Sequence, residues 1–212
     1  MTEQLEQGSD EWLQARVGKV TASRVADVVA KTKTGYGAGR ANYMAELIAE
    51  RLTGKPAEKF SNAAMQWGTE TEPQARMAYE LVHDADVVQV GLVPHPTIAE
   101  TAASPDGYVG ADGLIEIKCP NTATHIDTLL GGSVPAKYDT QMQWQLACTG
   151  RQWCDFVSYD PRLPANLSLF VYRVMRDDKR IAELETEVKQ FLAEIETKIE
   201  ALANLDQMKA AA

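Results

Sequence analysis

The sequence predicts a mixed α/β domain, and three features of the 212-residue chain predict it. Apolar residues recur at three- and four-residue spacing in several segments, the longest beginning near Asp177, which is the period of amphipathic helices. Between them lie short runs rich in valine and isoleucine, bounded by glycine and proline, as strands are. An apolar content of 45% suffices at this length for one sizeable core. No internal repeat divides the chain, and only the alanine-rich C-terminal end is low in complexity, so residues 1–212 read as a single domain.

Taken in order, Ser9 before Asp10 and Glu11 is a helix start, with a capping hydroxyl and first-turn acids suited to the helix dipole. That helix carries Trp12, Leu13 and Arg16 and ends near Gly18. Thr21 to Ser23 open a second helix running to about Ala30, and 31–39 is a loop. Residues 40–52 are amphipathic, with Gly54 as the stop. A helical stretch at 63–82 is expected to break near Gly68 and restart at Thr71, Glu72 and Pro73. Strands are expected at 87–93 and 98–103. Gly110, Ala111, Asp112 and Gly113 form a turn between two short strands, 108–109 and 114–119, and Pro120 ends the ladder. Helices at 122–130 and 138–149 precede strands at 153–159 and 167–175. A long helix over about 177–206 closes the chain, its stripe of Ile181, Leu184, Val188, Phe191, Ile195 and Leu202 expected to pack on the parent domain.

The net charge of −9 argues against loose, sequence-blind coating of nucleic acid, because phosphate contacts dominate such affinity. The distribution matters more than the sum. Residues 1–60 hold nine Lys/Arg against eight Asp/Glu, whereas 61–120 hold two against nine, as a cation-binding segment would. Cys119, Cys148 and Cys154 make an odd count without zinc-ligand spacing, which reads as reduced thiols of a cytoplasmic protein. No apolar run reaches membrane-spanning length and the N-terminus carries no signal-peptide pattern.

The chemistry concentrates between Ser104 and Lys118. On a strand, Leu114, Glu116 and Lys118 share one face and Ile115, Ile117 and Cys119 the other. Asp106, beside Pro105, falls at hairpin distance from Glu116. Two carboxylates helped by a backbone carbonyl suit Mg²⁺, a hard ion that keeps several waters and shares a substrate phosphate. Lys118 is placed to orient or help deprotonate an attacking water, or to stabilise developing negative charge. A Glu-x-Lys pair alone is also a common solvated ion pair; the Pro-Asp across the hairpin and the apolar opposite face favour chemistry. Elsewhere, Arg16 with a helix start at Thr21–Ser23 suits a phosphate, although those residues alone favour a plain cap and a surface arginine. Glu72 is a first-turn acid or a further group facing the metal, and Gln141, three residues after Tyr138, brings an amide toward the water or a phosphate. Trp67, Trp144 and Trp153 read as core, and His83, His95 and His125 show no ligand spacing.

The run Gln7 to Trp12, Arg16, Thr21 to Ser23, Trp67-Gly68, Glu72, Ser104 to Gly107, Leu114 to Pro120, Gln141 to Gln143 and Tyr159 to Arg162 resembles, in order, the lambda-type, YqaJ-like alkaline exonucleases. These are a branch of the PD-(D/E)xK nucleases, and the resemblance spans nearly the whole chain. It implies a restriction-endonuclease-like core, with a mixed central β-sheet flanked by helices. It further implies Mg²⁺-dependent 5′→3′ digestion of duplex DNA, leaving 3′ single strands for phage-type strand annealing. A DNA-threading homotrimer, a phage single-strand annealing protein as partner, and a phage or prophage origin in a bacterial cytoplasm follow in the same way.

By position, Asp106, Glu116 and the carbonyl of Ile117 would bind Mg²⁺, two ions per site, with Mn²⁺ as a substitute. Lys118 would act on the water, and Glu72 and Gln141 would hold metal-bound water. Arg16, Ser23 and Ser104 would hold the 5′-terminal phosphate, and Trp12, Lys33 and Met65 would touch DNA, Met65 as an apolar wedge. Lys33 and Thr124 each stand where the family has an arginine, so two phosphate grips are expected to be weaker. Two other readings remain. One is a sequence- or structure-specific endonuclease on the same core, or a RecB-like nuclease, which uses four cysteines for an iron–sulfur cluster that three poorly spaced ones do not supply. The other is a non-catalytic DNA-end binder, which has no need of Asp106, Glu116 and Lys118 together.

Overall fold

The computed structural model describes residues 5–57 and 62–210. Helix α1 (Asp10–Ala15) leads to β1 (Val20–Thr21), a 3₁₀ turn (Ala22–Arg24), α2 (Val25–Val29) and the hairpin β2 (Lys31–Thr32) and β3 (Gly35–Tyr36). Two helices follow, α3 (Ala38–Thr53) and α4 (Ala63–His83), then strands β4 (Val87–Val88), β5 (Val93–Pro94), β6 (Thr101–Ala103), β7 (Gly107–Val109) and β8 (Gly113–Lys118). Helices α5 (Thr122–Gly131) and α6 (Ala136–Thr149), strands β9 (Trp153–Tyr159) and β10 (Leu169–Met175), and α7 (Asp178–Ala210) complete the chain.

The central sheet has the order β10-β9-β8-β7-β4, with β8 and β9 parallel and the other neighbours antiparallel. A second sheet, β1-β6-β5, joins residues far apart in sequence. Strand β8 is covered on both faces. Leu114 packs with Met142 and Leu146 of α6 and Phe156 of β9, while Ile115 and Ile117 pack with Ala75 and Tyr79 of α4. A third cluster sets Leu184, Val188, Phe191 and Ile195 of α7 against α2 and α3, with Trp144 of α6. The mixed α/β class and the long C-terminal helix are as the sequence predicts.

Caps explain the helix starts. Ser9 accepts the Trp12 N–H at 3.1 Å, Asn62 the Met65 N–H at 3.0 Å and Asn121 the Thr124 N–H at 2.9 Å, each satisfying a donor the helix leaves free. Close packing also selects Gly113: a Cβ there would lie 2.1 Å from the Trp153 ring that covers it, so only glycine admits the indole.

Several boundaries differ from expectation. Segment 31–39 is not all loop, because the β2–β3 hairpin is fastened to α7 through Glu187, which pairs with Lys31 at 2.7 Å and accepts from Tyr36 Oη at 2.6 Å. The expected helix from Thr21 begins as a strand, since Val20 and Thr21 pair with Thr101 and Ala102. Helix α4 runs unbroken through Gly68 and Pro73; burial of Thr71, Ala75 and Tyr79 outweighs local penalties. The strands expected at 87–93 and 98–103 shrink to short pieces around Gly91, Pro94 and Pro96. On α7 the stripe is buried through Ile195, but Leu202 is exposed.

Candidate active site

The hairpin β7–β8 places the acids. Gly107 pairs with Ile115 and Val109 with Gly113, so Asp106 lies one step beyond the ladder, opposite Glu116. Its Oδ2 accepts the Ile117 N–H at 2.6 Å, locking its carboxylate against β8. Glu116 is only 1% exposed, on the face of β8 turned to α6. A buried carboxylate is tolerable only when its oxygens are satisfied, and here they are. Gln141 donates to Oε1 at 2.7 Å and Gln145 to Oε2 at 2.5 Å, and the Lys118 ammonium pairs with Oε1.

The charges are tightly linked. Burial, then the charge of Glu116, pushes the Asp106 carboxyl well above the ordinary carboxylate value, against the pull of Lys118. Burial opposes the charge on Lys118, but Glu116 and Asp106 outweigh it and raise its pKa. The two acids thereby favour the ammonium form of Lys118. Its Nζ also lies 5.3 Å from the centre of the Tyr138 ring. Cys119, on the opposite face, is pushed up to about 12 by burial first and by Glu72 and Asp106 next, so it remains a thiol.

Glu72 sits on α4 with its carboxylate on Arg76 at 2.6 Å. Burial raises its pKa while Arg76 and Lys118 pull the other way. Among the described residues no three His, Cys, Asp or Glu side chains form a ready metal cage. The residues that do meet are Asp106, Glu116, Lys118 and Gln141. The donor set fits a hard divalent cation, since two facing carboxylates, with the Asp106 carboxyl pushed up by burial first and Glu116 next, are offset only by Lys118.

A second group gathers beside α1. Ser104 Oγ accepts from Trp12 Nε1 at 3.1 Å and lies 3.5 Å from an Arg16 guanidinium nitrogen. That guanidinium stacks over the Trp12 ring at 4.1 Å. Arg16 makes no ion pair among the described residues, and burial lowers its pKa. It opens on a cavity of about 400 Å³ lined also by Lys19, Ser23, Arg24, Glu46, Glu50 and Met65. Arg24 is already held by Asp27 and Glu46 at 2.7 and 3.0 Å, which leaves Arg16 and Lys19 as the cations for a ligand. Met65 is exposed. Lys33 is exposed at the tip of the β2–β3 hairpin, outside the cavity lining. Thr124 follows the cap of α5.

Two residues have roles that the sequence does not assign. Gln145 reads there as one more helical polar residue, although it lies one turn after Gln141 and shares its face. His125 lacks ligand spacing and is fully buried, joining Ser158 at 2.7 Å and the Leu167 carbonyl at 2.9 Å. It ties α5 to β9, the strand in which Ser158 pairs with Lys118.

These features define a sheet-centred acid–lysine site, and the comparisons show the family. Residues 11–152 match the YqaJ-like viral recombinase domain, and the chain belongs to that family. It is similar to LHK-Exo, an alkaline exonuclease from Laribacter hongkongensis, at 58% identity over 96% of this chain and 98% of that one, with a TM-score of 0.87. LHK-Exo in complex with dAMP matches at 59% identity, the same coverage and a TM-score of 0.88. A phage related exonuclease from Haemophilus somnus 129PT, 17% identical, shares the fold at a TM-score of 0.72 over 87% of this chain and 96% of that one. No curated protein matches the chain. Among the described residues, no helix is long and apolar enough to cross a membrane.

Proposed function

We propose that this protein is a Mg²⁺-dependent nuclease that digests duplex DNA from phosphorylated 5′ ends and leaves 3′ single strands. The observation that carries this reading is the meeting of Asp106, Glu116 and Lys118, with Gln141 on Glu116. The exonuclease relatives support the reaction class. The relative bound to dAMP, a 5′-mononucleotide, supports release of single nucleotides.

Asp106, Glu116 and the Ile117 carbonyl would hold the cation, with Mn²⁺ as a substitute and two ions per site. When bound, it acidifies a water and neutralises phosphoryl oxygens. The chain's own groups do the rest. Asp106 is held in place by the Ile117 N–H. Lys118, kept charged, faces the developing charge on the phosphate. Gln141, with one amide hydrogen on Glu116, has a second to orient water or a phosphate oxygen. Glu72, whose charge acts on Asp106 while its carboxylate pairs with Arg76, borders the site. Arg16, Ser23 and Ser104 hold the 5′ phosphate. Ser104 Oγ already accepts from Trp12, so its own hydrogen is free to donate to a phosphate oxygen. Trp12 and Met65 meet the terminal base pair, and Lys33 meets the backbone as a point charge.

A homotrimer around the duplex and a phage-type single-strand annealing protein as partner, in the cytoplasm of a phage- or prophage-bearing cell, complete the proposal. The test is a linear duplex labelled at its 5′ or 3′ ends, incubated with Mg²⁺ or EDTA. Early loss of the 5′ label with Mg²⁺ alone is expected, and first loss of the 3′ label sinks the polarity. Cleavage of covalently closed circles favours an endonuclease instead, and end binding without cleavage favours a scaffold.

A further inference from the structure

We infer that Gln145 is a positioning residue for the active-site carboxylate, setting the plane in which Glu116 meets its cation. The inference rests on the reading of Glu116 as a cation ligand. Glu116 Oε1 receives two donors, the Gln141 amide at 2.7 Å and the Lys118 ammonium. Oε2 receives one, the Gln145 amide at 2.5 Å. Contacts on opposite oxygens stop rotation about the last side-chain torsion, which is otherwise soft. Without Gln145, both restraints fall on one oxygen and the carboxylate turns about it.

The amide is itself fixed. Gln145 is fully buried in α6, and its Oε1 lies 3.9 Å from the Cys154 sulfur. Cys154 sits on β9 beside Leu114 of β8 and is buried, so it offers its weak S–H donor. Turning the amide over would set its carbonyl against the carboxylate and its NH₂ against the thiol hydrogen. One orientation is therefore selected, with the donor toward Glu116. The two glutamines thus divide the task. Gln141 is partly exposed and can touch substrate, whereas Gln145 has no access to it and acts through Glu116 alone. Groups that orient a ligand in this way typically influence metal affinity about 10–100-fold.

The experiment is calorimetric titration of the full chain with Mn²⁺, without DNA, for the wild type, Q145M, Q145N and E116Q. Urea midpoints in EDTA are measured alongside. Met fills the site without a donor, and Asn withdraws the donor by one methylene. Both are expected to bind Mn²⁺ at least about 10-fold more weakly, with the Mg²⁺ needed for half-maximal digestion rising in step. Wild-type affinity in folded Q145M, with only a lowered urea midpoint, makes Gln145 merely structural and overturns the inference. If Q145M does not fold, wild-type affinity in Q145N overturns it equally. If the wild type binds no Mn²⁺, or E116Q binds it as well as the wild type, the cation reading of Glu116 itself fails and the inference falls with it.

Discussion

Replacing Arg16 with alanine tests the phosphate pocket most directly. The guanidinium is stacked on Trp12 at 4.1 Å and reaches Ser104 only at 3.5 Å, and it makes no ion pair among the described residues. A phosphate would give it charge-assisted hydrogen bonds, worth about 1.5–3 kcal/mol to a charged group. That corresponds to roughly a 10- to 150-fold preference for phosphorylated over hydroxyl 5′ ends. In R16A the preference should fall to within about 3-fold, with the loss confined to phosphorylated ends. R16K keeps the charge but not the fork and should lie between. The stacking contact is worth about 0.5–1 kcal/mol, so R16A should fold with a slightly lowered melting temperature. The assay is the initial rate of label release from otherwise identical duplexes with and without the 5′ phosphate. If R16A keeps the wild-type preference, Arg16 does not read the terminal phosphate.

Lys118→Ala should slow cleavage by about 10²–10⁴-fold while leaving end binding in EDTA within a few-fold, measured by filter binding; equal loss of both contradicts the role. Phe191, fully buried and stacked on Tyr43 at a centroid distance of 5.8 Å, should cost about 3–5 kcal/mol when cut to alanine, read as a urea midpoint. Asp160, despite the upward push of burial, is held at about 2 by hydrogen bonds from Arg162 and Thr122. Because the folded value lies below the usual 3.8, its stabilisation is complete above about pH 5 and fades as pH falls toward 2. With Arg162 half-exposed, the contribution is about 1 kcal/mol after screening. The midpoint gap between wild type and D160N should close over that range and stay constant from pH 5 to 7. Asp106→Asn keeps an oxygen for the Ile117 N–H and removes a charge facing Glu116, so in EDTA it should be as stable as the wild type or more so, yet inactive; a clear loss of stability would show that the two carboxylates do not oppose one another.

What is legible in the sequence is local. The turn at Gly110–Gly113 sets the register that brings Asp106 opposite Glu116, and the three- and four-residue stripe of α7 names its buried face. The rest depends on contacts between distant residues. Trp12 meets Ser104 across 92 positions, and β1 is a strand only because β6 supplies its partner. Gln145 is hidden for another reason: a glutamine on a helix normally faces water, and only the depth of Glu116 requires one inside. Glu72 shows a local contact competing with a distant one, since Arg76, one turn on, holds the carboxylate that resemblance directs to the metal.

On the proposed function, the arrangement around β8 would let an acidic chain act on a polyanion. Asp106 and Glu116 bring two negative charges and Lys118 one positive, inside an acidic stretch of sequence. Left so, the site repels a phosphodiester, and burial first and Glu116 next disfavour the charge on Asp106. A divalent ion held there would offset both effects by completing the charge of the acids and presenting a positive surface to phosphate. On the proposed function, attraction for DNA at the acids would depend on the ion, while Arg16, set apart by α1 and Ser104, would need none. End capture and cleavage would then fall to separate charges, which is why K118A and R16A should fail in different assays.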